Sequence, residues 1–252
     1  MSIGIGILST DRIECTKRLL ESIKKYTSKD INVHIFDDSS EKKFEVHKLI
    51  KKYKYEFNNT GKRIGIAKNS NMLLKRLEEY DYKVMLNNDV EILKKGWIDS
   101  YIDAIEKTSI HCFTHRQLGL WGACKDGENN KRPDIRSEVN GVKIATVQSE
   151  PQGAIMIFDK LAHESVGYYD SKTFNGYGRS HHLWCICMGL SGIQPEGFHD
   201  IHNSNEYIKT HNVKSITQFK KRISDYMRNK QLYKEVINNI KNKKRKVYTP
   251  FI

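Results

Sequence analysis

No stretch of the 252-residue sequence holds the roughly 18 consecutive apolar residues that a membrane-crossing helix needs. The opening MSIGIGILST lacks the basic start and the length of a secretory leader, and reads as a first β-strand. Cysteine is sparse and odd in number. The five thiols (Cys15, Cys112, Cys124, Cys185 and Cys187) follow neither a disulfide framework nor the usual zinc spacings. Reduced thiols and an intracellular, cytoplasmic location are therefore expected. No segment repeats. Acidic residues are scarce at the C-terminal end: from Lys214 to Ile252 twelve basic residues face only Asp225 and Glu235, a net of +10 out of +13 for the whole chain. That imbalance admits two readings, a solvated helix face or a surface that attracts polyanions or the inner membrane face.

Against these absences, 38% of the residues are hydrophobic and 29% charged, which suits one large domain or a domain with an appended lobe. Strand-like and helix-like stretches alternate through the first half. Strands are predicted at 3–8, 31–36, 55–58 and 83–86, and helices at 12–26, 41–53, 66–80 and 97–107. Such alternation predicts an α/β fold, with a mostly parallel sheet and helices on both faces. Residues 110–142 are polar and glycine-rich and read as a long loop. A strand is predicted at 153–158, a glycine turn at 174–178, a buried helix at 181–190, and two helices between about 215 and 241.

Polar clusters stand where the predicted strands end: Ser9-Thr10-Asp11-Arg12, Asp37-Asp38-Ser39-Ser40 and Asn87-Asn88-Asp89. In a parallel sheet those ends share one edge, and ligands bind beyond it. Each cluster alone is also what helix caps and Asx-turns require. A further cluster, GFHDIHNSN (197–205), offers His199, Asp200 and His202. Adjacent strand residues face opposite ways, so His199 and Asp200 cannot both point at one site.

In this order the segments GIGILSTDR, VHIFDDSS, GKRIGIAKNSN, VMLNNDVEI and GAIMIFDKLAHESVGYYD with FNGYG resemble the nucleotide-sugar glycosyltransferases of the GT-A fold, family 2 above all, across residues 3–192. The resemblance implies a catalytic domain over 1–210, with a nucleotide-sugar half to about 108 and an acceptor half from about 109. A basic helical extension follows over 211–252. It implies Thr10, Arg12, Asp38, Arg63, Asn69, Asn87 and Asn88 as donor contacts, with Asp38 accepting from a uracil N–H. Asp89 stands at the family's Asp-x-Asp position as ligand of Mn²⁺ or Mg²⁺, and His202, or alternatively His199, completes the metal shell. The implied activity is hexosyl or N-acetylhexosaminyl transfer, inverting, from a UDP-sugar to an acceptor hydroxyl. The acceptor is unread; DNA, a teichoic-acid-like polymer and a lipid-linked glycan all suit the basic tail.

The pattern breaks where the family places its general base. The segment Arg179-Ser180-His181-His182-Leu183-Trp184 contains no carboxylate. His181 or His182 as base, a histidine binding metal or acceptor, and a chain that uses no such base remain as alternatives. Two other functions also stay open: a nucleotidyltransferase, although LSTDRIE lacks its glycine run, and an inactive polyanion-binding scaffold.

Overall fold

A computed structural model describes residues 1–27, 30–115, 135–147, 153–175, 178–211 and 219–251. In chain order the elements are β1 (Ile3–Ser9), α1 (Ile13–Tyr26), β2 (Asn32–Asp37), α2 (Lys43–Lys51), β3 (Glu56–Asn59), α3 (Ile66–Arg76) and β4 (Tyr82–Asn87). Next come β5 (Val90–Ile92), α4 (Trp97–Lys107), β6 (Cys112–Thr114), β7 (Ile135–Val139), β8 (Val142–Val147), β9 (Ile155–Asp159) and α5 (Lys160–Val166). The chain closes with α6 (Ser180–Leu190), β10 (Phe198–Ile201), the short α7 (Ser204–Tyr207), β11 (Ile208–Thr210) and α8 (Phe219–Lys241).

Nine strands form one sheet in the order β3-β2-β1-β4-β9-β6-β10-β8-β7. The four strands from β3 to β4 are parallel, whereas β9 runs antiparallel to both β4 and β6. β11 pairs antiparallel with β5 in a separate two-stranded ribbon.

The IGIGI start of β1 explains how the sheet packs. Ile3, Ile5 and Ile7 point to one face and are buried with Leu19, Leu20 and Ile23 of α1, Val46 of α2 and Trp97 of α4. Gly4 and Gly6 point to the other face, where α3 lies directly on the strand. A Cβ at Gly6 would come within 2.6 Å of Leu73, and one at Gly4 within 2.5 Å of the Tyr80 ring. Gly6→Ala would force the helix away, an overpacking cost of roughly 1–3 kcal/mol. This second face is filled by Leu73 and Leu77, by Trp184 and Met188 of α6, and by Val236 and Ile240 of α8. The basic C-terminal helix is thus packed into the core along one side.

The predicted helices on both faces are present. Two expectations need correction. β6 and β7 fall within the stretch read as a long loop, and 116–134, with Trp121 and Cys124, lies outside the described residues. The two helices expected between 215 and 241 are one helix over Phe219–Lys241. Among the described residues no helix is long and apolar enough to cross a membrane.

Candidate functional site

From β1 the chain moves outward to β2 and β3, then returns to lay β4 on the opposite side of β1. Strand order reverses there, so a crevice opens between the C-terminal ends of β1 and β4. The loops that meet across it are the first and third polar clusters. Arg12 Nη1 lies 3.2 Å from Asp89 Oδ2. Asn88 Nδ2 donates to the Asp11 carbonyl (3.2 Å) and to Thr16 Oγ1 (3.1 Å), and its backbone N–H to the Leu8 carbonyl (3.1 Å).

The backbone at this edge is strained. Asp11, Arg12, Ser39 and Arg179 have φ of 51°, 55°, 54° and 72°, left-handed values that non-glycine residues rarely adopt. Such strain persists only where surrounding contacts over-determine it, and it gathers at functional sites. Here the contacts are visible. Asp11 donates its N–H to Ser40 Oγ (2.6 Å), accepts from the Glu41 N–H (2.8 Å) and pairs with Arg63 Nη2 (2.6 Å). Asp37, fully buried, accepts from the Ser40 N–H (2.8 Å) and from Asn59 Nδ2 (2.7 Å). Asp38 accepts from the N–H groups of Ile64 (2.7 Å) and Gly65 (3.1 Å), ordering the turn into α3. Between these loops lies an open cleft of about 590 Å³ lined by Asp11, Arg12, Ile13, Glu41, Lys42 and Arg63.

Asp89 keeps one carboxylate oxygen free for a ligand. Its Oδ2 is held by Arg12, whereas Oδ1 is buried and has no hydrogen-bond partner among the described residues. Burial raises its pKa above the usual carboxylate value, and Arg12 opposes that shift only in part. The next strand pair delivers a histidine to the same place. Thr210 of β11 stands opposite Val90, and the following residue, His211, donates its backbone N–H to the Asp89 carbonyl (2.8 Å). Its ring Nε2 lies 2.6 Å from Glu91 Oε2.

On the other side of the crevice, the first turn of α6 faces the end of β4. His181, half-buried, shares a narrow pocket with Asn87, Gly153, Ser180 and Tyr169. Gly153 permits this approach, since a Cβ there would come within 2.8 Å of the His181 ring. His182 turns inward, edge-on to Phe198 with ring centroids 6.0 Å apart. Burial holds its pKa well below the normal histidine value, so it is neutral.

The twelve residues singled out by sequence therefore separate. Arg12, Arg63, Asn87, Asp89 and His181 border the cleft or the crevice between the first and third clusters. Thr10, in the first of these loops, donates its hydroxyl to the Ser9 carbonyl (2.8 Å). Asp38 and Asn88 bind loop backbone beside it. Asn69 is buried under β2, with Nδ2 3.3 Å from the Phe36 carbonyl. The expected metal shell of Asp89 with His199 or His202 does not assemble. His199 spends both ring nitrogens on Thr146 Oγ1 (3.1 Å) and the Pro195 carbonyl (3.0 Å). His202 follows β10, which is separated from β4 by β9 and β6. Among the described residues no three His, Cys, Asp or Glu side chains gather as a metal cage would require. Sequence reasoning passed over His211. The cue was the short alternating run Tyr207-Ile208-Lys209-Thr210 before it, matched to Val90-Glu91-Ile92 after Asp89.

The residues present suit a hard divalent ion that takes one or two protein ligands and fills its remaining sites with phosphate oxygens and water. The bare Oδ1 of Asp89 supplies the anionic oxygen, and His211, tied by its backbone to the Asp89 carbonyl, is the nearest further candidate, with Nε2 engaged by Glu91.

No protein-family model matches the chain. No curated protein matches it either. Solved structures do resemble it. The structure of residues 1–349 of S. aureus TarS superposes with a TM-score of 0.58 at 13% identity, over 82% of this chain and 60% of that one. GalNAc-T7, solved with UDP, GalNAc and Mn²⁺, gives 0.63 at 10% identity, over 95% of this chain and 51% of that one. The Pyrobaculum calidifontis mannosyltransferase PcManGT, solved with GDP-Man and Mn²⁺, gives 0.58 at 10% identity, over 79% and 53%. The chain thus spans about 60% of the TarS fragment's length. These likenesses establish the fold, which is GT-A.

Proposed function

We propose that the chain transfers a sugar from a nucleoside diphosphate sugar, a UDP-sugar in the first instance, to an acceptor hydroxyl. One observation carries this reading. A half-buried carboxylate, Asp89, keeps one buried, unpartnered oxygen at the reversal point of the sheet, with its other oxygen on the Arg12 guanidinium and its backbone carbonyl bonded by His211. The neighbours solved with UDP and Mn²⁺, or with GDP-Man and Mn²⁺, support it at the level of the fold.

Each residue has a part in that reading. The cleft between Asp11, Lys42 and Arg63 is open to a nucleotide, with Thr10 and Asp38, in the loops beside it, as base and ribose contacts. Arg63 and Arg12 present planar donors to diphosphate oxygens. When bound, a divalent ion on Asp89 and His211 would offset charge on the departing diphosphate. Asn87 is placed to hold the sugar. His181, across the same pocket, takes the acceptor proton; a neutral imidazole serves this purpose near neutral pH. His182, buried and neutral, supports the helix. The catalytic domain ends with β11, and α8 braces it from outside. One observation favours the alternative of an inactive scaffold: no carboxylate occurs from Gly178 to Trp184.

The test is UDP release from UDP-glucose, UDP-galactose and their N-acetyl forms, with Mn²⁺ or EDTA. Metal-dependent release that disappears in Asp89→Ala is the expected result. Absence of release with every donor, together with no Mn²⁺-dependent binding of UDP, overturns the reading.

A further inference from the structure

We propose that the outer face of α8 and the turn after it form a docking track for a linear phosphodiester polymer, with one end of the track fixed beside the candidate catalytic crevice. The meaning of the track as an acceptor platform rests on the glycosyl-transfer reading; the binding itself does not.

One side of α8 is consumed by packing, with Val236 and Ile240 buried and Leu232, Tyr233 and Ile237 packed against the second core. The opposite side carries Lys230, Lys234 and Lys241, followed by Lys243, Lys244 and Lys246 in the turn, all exposed. Four lysines elsewhere on this surface are neutralised, Lys75 by Glu78, Lys94 by Glu206, Lys107 by Asp103 and Lys160 by Glu164, whereas others, such as Lys48, Lys51 and Lys52, are exposed without an ion pair among the described residues. The six on α8 and its turn make no ion pair among the described residues. Of the two acids on the helix, Asp225 is buried and salt-bridged to Arg228 (3.5 Å), which leaves Glu235 as the one exposed acid. At 1.5 Å rise per residue, Lys230, Lys234 and Lys241 stand about 6 and 10 Å apart along the axis, in a line rather than a patch. Ammonium groups in a line, with Glu235 as the one exposed acid beside them, match a polymer that carries one charge per repeat.

The near end of the line is bolted to the site. Asn229, fully buried, donates through Nδ2 to the carbonyls of Asn175 (3.2 Å) and Gly178 (3.1 Å). Arg228 Nη2 donates to the Asn175 carbonyl at 2.6 Å. Arg179 bonds the Tyr226 hydroxyl (2.5 Å), and its guanidinium lies 4.8 Å from that ring and 5.6 Å from the ring of Tyr233. His181 follows Arg179 by two residues and faces the crevice with Asn87. A polymer laid along α8 therefore has a fixed register to that crevice. A bilayer suits this face less well. A surface-lying helix offers lipid an apolar side, and the apolar side of α8 is already inside the protein, leaving Met227 as its one exposed large hydrophobic residue among those described.

The experiment measures binding of a fluorescent single-stranded dT oligonucleotide, as phosphodiester probe, across a salt series. Vesicles containing phosphatidylglycerol serve as lipid probe. Three proteins are compared: the native chain, a triple Lys230→Glu, Lys234→Glu, Lys241→Glu variant, and a matched control with Lys48 and Lys51 of α2 and Lys52 just after it changed to Glu. Lys→Gln at the same three α8 positions guards against a helix weakened by the new acids. The expected result is about a tenfold loss of affinity at low salt in the α8 variants, with the log–log salt slope shallower by about 2, from 0.7 per lost contact. The control should lose far less. Equal losses in control and α8 variants overturn the track, as does absence of oligonucleotide binding, or vesicle binding that alone depends on the α8 lysines. Mn²⁺-dependent UDP binding, measured on the same samples, separates failure of the track from failure of the donor-site reading.

Discussion

Arg12 and Asp89, 77 residues apart in sequence, meet at 3.2 Å across the point where strand order reverses. The contact uses one carboxylate oxygen and leaves the other buried and bare. A strained left-handed residue donates to a carboxylate whose pKa burial has raised. Both features weigh against stability, which is common where a fold holds a group ready for a ligand.

The first prediction follows from that imbalance. A carboxyl whose folded pKa lies above its ordinary value of 3.8 favours folding most below that value, and the contribution is lost as pH rises through the folded pKa. Ionised Asp89 is therefore a net burden on the metal-free protein at neutral pH. Asp89→Asn should melt higher than the native chain at pH 7, with the gap closing as pH falls below 4. The same change should abolish the rise in melting temperature that Mn²⁺ with UDP gives the native protein. Calorimetry between pH 3.5 and 7.5, with and without both ligands, reads both effects. A lower metal-free melting point for the variant at pH 7 would sink the argument.

The neighbouring histidines of α6 should behave oppositely. His181 borders the crevice, so His181→Ala should keep Mn²⁺-dependent UDP binding and cut turnover by roughly 10²–10⁴. His182 is buried against Phe198, so His182→Ala should cost roughly 2–4 kcal/mol of stability through the cavity it leaves. Steady-state kinetics beside urea unfolding separates them. Similar kinetic and stability losses in both variants would refute the division of roles.

Much of this arrangement was legible before any coordinates. Ile3, Ile5 and Ile7 announce β1, and the polar clusters after β1, β2 and β4 do share an edge. Local pattern carries that information, because a parallel sheet needs apolar strands and polar ends. The second half was less legible. His199 looked available in sequence, yet one ring nitrogen goes to Thr146 of the neighbouring strand β8, a pairing no local pattern specifies, and the other turns back to the Pro195 carbonyl four residues earlier. His211 reaches Asp89 only because β11 returns to pair with β5, a long-range contact. Likewise the tail read as an appendage, since its charge is obvious in sequence and its packed side, Val236 and Ile240, is short.

The clamp from α8 gives a third prediction. Asn229→Leu removes the donor to the Gly178 carbonyl and should cost roughly 1–3 kcal/mol for the buried group left unpaired. Because that carbonyl sits one residue before the left-handed Arg179, the first turn of α6 should loosen as well. Hydrogen exchange at the Leu183 amide, which donates to the Arg179 carbonyl, should speed up more than exchange in β1 or β4. A uniform change across the sheet would mean that Asn229 acts on global stability alone.

The fourth prediction concerns a buried cation far from the crevice. Lys83, in β4, is fully buried and donates from Nζ to the Tyr80 carbonyl at 2.6 Å. Burial lowers its pKa from 10.5 to about 8, with Asp159 opposing the shift. A lysine with a depressed folded pKa adds stability above pH 10.5, and loses it as pH falls through about 8. At neutral pH the burden is complete, roughly 3 kcal/mol at 1.36 kcal/mol per unit. Removing the side chain also loses a hydrogen bond worth about 1 kcal/mol. Lys83→Met should thus stabilise the protein at pH 7 by about 2 kcal/mol, or roughly 4–8 °C in melting temperature for a chain of this size. A second effect is linked to the first. His163 is held down to about 4, first by burial and then by the charge of Lys83. It favours folding above pH 6.5, and that contribution is lost as pH falls to about 4. Without the lysine its pKa should rise, so the acid loss of stability between pH 6.5 and 4 should become shallower. Melting curves of the native chain and Lys83→Met from pH 4 to 10 test both. A variant that melts lower at pH 7, or an acid limb as steep as the native one, would show that the Lys83 charge is better satisfied than its burial implies.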